Sequence, residues 1–196
     1  MAGATKGVFC LEGAWERRLD DRCSVLPTLE LLERLGLARF IHRDVGTKEE
    51  LFHYLNKWKQ RGYSGYEALY FAFHGTKGGI AIGRGTITLD ELAEHLEGSA
   101  KGRIVYFGAC NVMRDRSAVE AFAHMTKAKA VCGFTKEVDW VESSAFDLLL
   151  LDSLLDGKRI DARINTLRRR YPDLTRRLGF ETYPQFDRVA SGTNGA

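Results

Sequence analysis

Leu69-Tyr-Phe-Ala-Phe-His74-Gly75 and Ile104-Val-Tyr-Phe-Gly-Ala-Cys110-Asn111 are the two stretches on which the fold turns. Each opens with an unbroken apolar run instead of the alternation of a strand half open to water. That is the pattern of a strand covered on both faces, as in a parallel sheet flanked by helices. Outward from this pair, Val8-Phe-Cys-Leu, Arg39-Phe-Ile-His and Ala130-Val-Cys132 read as three more strands. Helical patterns lie between them: about 27–36, a stretch capped by Thr47 with Glu50 at the capping-box position, Leu89–Leu96 and Trp140–Leu155. Strand and helix in alternation predict a three-layer α/β/α sandwich with a mostly parallel central sheet and right-handed crossovers. Gly79-Ile-Ala-Ile82 and Thr86-Ile-Thr88 around Gly83-Arg-Gly85 add a small β-hairpin insert.

A chain of 196 residues fits a single domain able to bury its own core, here placed at about 7–155. The segment over about 156–190 reads as a basic helical addition broken at Pro172. Residues 157–188 hold nine basic and four acidic residues, yet the whole chain carries only +3. Arg168-Arg-Arg170 and Arg176-Arg177 therefore read as a solvated helix face, and nucleic acid is not the expected partner. No apolar run reaches the roughly 20 residues of a membrane span, and Met1–Lys6 has no apolar stretch. A cytoplasmic protein is expected. Cys10, Cys23, Cys110 and Cys132 show neither CxxC spacing nor a nearby histidine cluster. No metal, cofactor or disulfide scaffold is implied. Cys10 and Cys132 read as core and Cys23 as exposed.

In open parallel sheets the chemistry lies at the carboxyl ends of the strands. His74 and Cys110 both fall there, at the ends of two apolar strands that would lie about 4.8 Å apart as neighbours. An imidazole in that place takes the proton of the thiol and frees the sulfur as a nucleophile. Gly75 removes a side chain beside His74, so its N–H and that of Cys110 can serve as two oxyanion donors.

This pattern resembles the caspase-like cysteine peptidases of clan CD, and especially their compact CHAT and separase-like branch. The resemblance rests on Phe71-Ala-Phe-His74-Gly75, the Gly79-Ile-Ala-Ile-Gly hairpin and Phe107-Gly-Ala-Cys110-Asn111, and follows element order over residues 7–155. It implies a His–Cys dyad, with His74 as general base and Cys110 as nucleophile, acting through a thioester on a protein or peptide substrate. Residues around Cys110 read GACN, not the QAC[RQG]G caspase signature, and fewer than twenty residues separate Cys110 from the next strand. Activation by excision of a linker is therefore not expected. If the chain is a zymogen, trimming in an outer loop, an upstream protease or a regulator would switch it on. The compact unit resembles prokaryotic caspase homologues, some of which act in defence against phage.

Three carboxylates, Asp115, Glu137 and Asp139, stand near the same rim. In the separase-like branch carboxylates of the corresponding loop bind a basic side chain, so cleavage after arginine or lysine is expected. Lys136 beside them is the residue that would neutralise one. Arg17 or Arg114 facing the pocket would reverse the preference toward aspartate. His42, His53, His95 and His124 share no motif and receive no role. The competing reading is a non-catalytic α/β binding module, which has no need of both His74 and Cys110.

Overall fold

Apolar strands in this chain are buried on both sides because helices cover both faces of the sheet. The computed structural model describes residues 6–16, 18, 20–155 and 159–186. β1 (Gly7–Glu12), β3 (Ala68–Ala72), β7 (Ile104–Phe107) and β8 (Ala130–Phe134) are buried along their whole length. With β2 (Arg39–Asp44) and β9 (Phe180–Tyr183) they form one six-stranded sheet in the order β2-β1-β3-β7-β8-β9. All neighbours run parallel except β9, which is antiparallel to β8.

The period of two along each strand divides the core. Phe9, Leu11, Leu69, Phe71, Val105 and Phe107 face one helical layer: α2 (Lys48–Trp58), α3 (Leu89–His95) and α4 (Arg116–Thr126). Val8, Cys10, Tyr70, Tyr106 and Cys132 face the other: α1 (Leu26–Arg34), α5 (Trp140–Leu155), α6 (Ile160–Arg170) and α7 (Pro172–Leu178). Helices bury the stripe that their sequence prepares, as with Leu51, Leu55 and Trp58 on α2. The three-layer α/β/α sandwich is thus the fold. The hairpin insert is present too, enlarged to a three-stranded antiparallel sheet of β4 (Gly75–Thr76), β5 (Gly79–Ile82) and β6 (Gly85–Thr88). Gly83 turns it with φ +57°.

Two expectations need correction. The segment beyond 155 is more than a basic helical addition. Ile160, Ile164, Leu167, Leu178 and Phe180 belong to the core, and Phe180–Tyr183 supplies the antiparallel edge strand. Its burial alternates along only four residues, too short a pattern to stand out beside the arginine-rich helices. Around Thr47 only half a capping box forms: its hydroxyl accepts the Glu50 N–H at 3.2 Å, while the Glu50 carboxylate takes the Gly46 N–H at 2.8 Å. The complete box closes instead between Thr88 and Glu91, at the start of α3.

Asp147 of α5 is buried against Tyr70 and Tyr106. Both hydroxyls donate to its carboxylate, that of Tyr70 at 2.6 Å, and the two rings stack at 4.8 Å. Burial pushes the Asp147 carboxyl up to about 7, against the downward pull of the two hydroxyls. No helix among the described residues is long and apolar enough to cross a membrane.

The path of the chain locates a crevice. From β1 it crosses through α1 to β2 on one side, then returns by α2 to β3 on the other side of β1. The carboxyl ends of β1 and β3 therefore flank the point where strand order reverses, the place where open α/β sheets hold ligands.

Candidate active site

His74 and Cys110 leave the sheet in step. β3 and β7 are neighbours with Phe71 paired to Phe107, and His74 and Cys110 each stand three residues beyond that pair. Parallel register therefore delivers both side chains to one rim. His74 is exposed and Cys110 half-buried, so both are reachable by a substrate.

Each is fixed by a neighbouring loop. His74 Nε2 lies 2.6 Å from the backbone carbonyl of Trp15. A carbonyl only accepts, so Nε2 carries the proton and Nδ1 keeps its lone pair for a base's work. The Trp15 ring stands edge-on to the imidazole at 5.3 Å and to Trp140 at 4.7 Å. Cys110 Sγ accepts the Val138 N–H at 3.4 Å. Asn111 takes the left-handed conformation, φ +61°, and donates its N–H to the Lys136 carbonyl at 3.2 Å. The turn carrying the thiol is thus fastened to the β8–α5 loop on both sides of the sulfur.

Gly75 proves essential to this geometry. A Cβ there would fall 1.9 Å from the Cys110 carbonyl oxygen and 2.7 Å from its nitrogen, distances no real side chain occupies. Among the described residues no acceptor takes the Cys110 N–H. The donor assigned to an oxyanion is thus unengaged, beside a residue with no side chain to block it.

The three candidate substrate-binding carboxylates are not drawn together by common partners. Asp115 is the N-cap of α4, taking the Ala118 N–H at 3.2 Å and the Ser117 hydroxyl at 3.0 Å, across from Gly78 of the hairpin. The Ala118 N–H and the Ser117 hydroxyl hold its carboxyl below the usual range. Asp139 caps α5 through the N–H groups of Val141 and Glu142, at 2.9 and 3.0 Å. Glu137 is exposed, one residue from the N–H that holds Cys110 Sγ. Lys136 does not neutralise them: its Nζ turns away to the Arg176 carbonyl at 2.9 Å. Arg114 lines a cavity of about 260 Å³ in which Glu120 and Glu181 also stand. Arg17 lies outside the described residues.

Cys10 and Cys132 are buried and Cys23 exposed, as their sequence contexts predict, and all four thiols are free. Burial pushes the thiols of Cys10 and Cys132 far up, which leaves them unfit as nucleophiles.

Sequence reading gave no role to Glu12, Trp15, His42 or Trp140, and the structure assembles all four beside the rim. Glu12 is only 2% exposed at the end of β1. Its Oε1 accepts the Trp15 indole N–H at 2.5 Å and the Val25 N–H at 2.8 Å. Oε2 accepts from the Ser24 hydroxyl at 2.7 Å and from His42 Nε2 at 2.5 Å. Burial pushes the Glu12 carboxyl up, but these four donors outweigh it and hold the group below its ordinary range. A carboxylate ending an otherwise apolar strand, Val8-Phe-Cys-Leu-Glu12, was the one signal available. Glu12, His42 and Asp44 bring three potential ligand atoms within 4.8 Å of one another. With both Glu12 oxygens engaged and the Asp44 side chain 92% exposed, the group is a hydrogen-bond hub.

Fold and site together define an α/β sandwich with a histidine and a cysteine converging at the carboxyl rim of its parallel strands. The chain belongs to the family of unknown function DUF6642, whose model matches residues 5–184. No curated protein matches it.

Proposed function

We propose that the protein is a cysteine endopeptidase working through the His74–Cys110 dyad. The observation that carries this reading is the parallel register Phe71–Phe107, which brings imidazole and thiol to one rim by the same three-residue offset. Two details support it: the Trp15 carbonyl on His74 Nε2, and the unengaged Cys110 N–H against Gly75. A binding module requires none of these.

In the reaction, His74 Nδ1 takes the thiol proton as Sγ attacks the carbonyl carbon of the scissile peptide. Negative charge moves to the carbonyl oxygen, where the N–H groups of Cys110 and Gly75 receive it. Each such donor is worth about 2.7–4 kcal/mol at the transition state. The intermediate collapses to a thioester as the C–N bond breaks, and the imidazolium gives its proton to the departing amine. Water, activated by the same imidazole, then hydrolyses the thioester and restores the thiol. The Trp15 carbonyl keeps the ring in one orientation through both halves.

Arginine or lysine before the scissile bond is the proposed preference. Its support is the acidic loop: exposed Glu137 stands one residue before the Val138 N–H that touches Cys110, and Asp139, which also caps α5, one residue after. Arginine's planar fork suits a free carboxylate such as that of Glu137.

The direct test is an irreversible peptidyl ketone probe with arginine in the first position. Labelling confined to Cys110 and abolished in His74→Ala supports the dyad. Equal, slow labelling of Cys110 and Cys23, unchanged by that substitution, would instead favour the binding module.

A further inference from the structure

We propose that Glu12 is a positioning residue for the dyad, acting through Trp15 on His74; this rests on the cysteine-peptidase reading. The contact on His74 is made by a backbone carbonyl of the β1–α1 loop, and a loop carbonyl is only as well placed as its loop. Packing holds this one in part: the half-buried Trp15 ring lies against the core layer of α1 and α5, and the Gly13 N–H donates to the Ala72 carbonyl at 2.9 Å. Trp15 is followed by an exposed run in which Glu16, Arg18 and Asp20 face water. The side chain that ties the segment together at both ends is Glu12.

Its two oxygens grip the loop near both ends: the Trp15 indole at the start, and Ser24 with the Val25 N–H at the close. His42 of β2 completes the set from the neighbouring strand. The indole is therefore pinned from one side by the carboxylate and flanked on others by His74 and Trp140. With the indole fixed, the carbonyl of the same residue is fixed on Nε2. A buried anion reaching the nucleophile's base through a single residue is a costly arrangement to bury unless every oxygen is satisfied, and here every one is.

Orientation of a base is worth a great deal: misplacement by about 1 Å costs up to roughly 100-fold in rate. Glu12→Gln keeps the shape but removes the charge and one acceptor oxygen. Trp15→Phe keeps the carbonyl and an aromatic wall but deletes the indole donor. Neither replaces His74 or Cys110, and Trp15→Phe keeps an aromatic ring beside the imidazole.

The four cysteines of the chain supply the assay. Iodoacetamide labelling followed site by site by mass spectrometry reports dyad geometry at Cys110, accessibility at exposed Cys23, and unfolding at buried Cys10 and Cys132. Glu12→Gln should slow Cys110 labelling at pH 7 by roughly 10- to 100-fold, and Trp15→Phe by about 10-fold, with Cys10 and Cys132 still protected. The pH profile of Cys110 labelling should move in both variants onto that of His74→Ala. A purely structural role would leave that profile where it was. If Glu12→Gln exposes Cys10 and Cys132, Trp15→Phe decides alone. Unaltered rate and profile in a folded Trp15→Phe protein, with wild-type labelling still dependent on His74, would overturn the role of Glu12 and spare the dyad. Wild-type labelling of Cys110 that ignores His74→Ala would overturn both.

Discussion

Gly75 rests its Cα directly on the peptide of Cys110, so closely that a Cβ would stand 1.9 Å from the Cys110 carbonyl oxygen. Two neighbouring strands, β3 and β7, thus meet just beyond their ladder, and the residue after the histidine is pressed onto the cysteine backbone. Gly75→Ala cannot be accommodated without moving the Cys110 turn. We expect overpacking to lower stability by about 1–3 kcal/mol. Displacing an oxyanion donor should reduce turnover by about 10²–10³-fold. Thermal unfolding and cleavage kinetics of the variant check both. Wild-type turnover would show that the two strand ends need not touch.

The losses from a dyad that acts as one unit should not add. Cys110→Ala and His74→Ala should each abolish cleavage, and the double variant should be no worse than either. Steady-state rates of the three proteins measure this. A His74→Ala protein within a few-fold of wild type would remove the imidazole from the mechanism.

The sheet and its layers were legible because burial on both faces leaves long apolar runs, as in Leu69–Phe73 and Ile104–Phe107. His74, Gly75 and Cys110 were legible because reactive residues stand out at the ends of such runs. The β1–α1 loop was not. Trp15 acts on His74 through its carbonyl, which every residue possesses, so no side-chain pattern records it. Glu12 and His42 meet only because β1 and β2 pair in parallel register. Asp139, read as a candidate pocket carboxylate, turns out to cap a 16-residue helix, a use equally compatible with its place in the sequence.

That capping role changes what the acidic loop predicts. Asp139→Ala should cost about 1 kcal/mol of stability from the lost cap, whatever it does to substrate binding. Glu137, exposed and carrying no such duty, is the cleaner probe. Glu137→Gln should lower kcat/KM for an arginine substrate several-fold more than for a neutral one. Equal effects on both, or efficient cleavage after aspartate, would reverse the assignment and leave the dyad intact.

Asp147 makes stability depend on pH in an unusual direction. Its carboxyl titrates near about 3.9 in the unfolded chain but is raised to about 7 between Tyr70 and Tyr106. The folded state then binds the proton more tightly. The contribution is fully present below the unfolded value and is lost as pH rises through about 7. Asp147→Asn removes that titration. The difference in unfolding free energy between wild type and Asp147→Asn should therefore shift against the wild type from pH 4 to 8. A pH-independent difference, measured by urea unfolding, would show that the buried carboxyl does not change protonation over that range.

Peptide-bond cleavage by Cys110 with the help of His74 can be measured on whole proteomes. Its most direct measurement is a cleavage profile on a proteome-derived peptide library, comparing wild type with Cys110→Ala and identifying the new termini by mass spectrometry. New termini should arise with wild type only, enriched for arginine or lysine before the cut. Identical termini with both proteins, or none with a wild type whose Cys110 is intact and reduced, would contradict it.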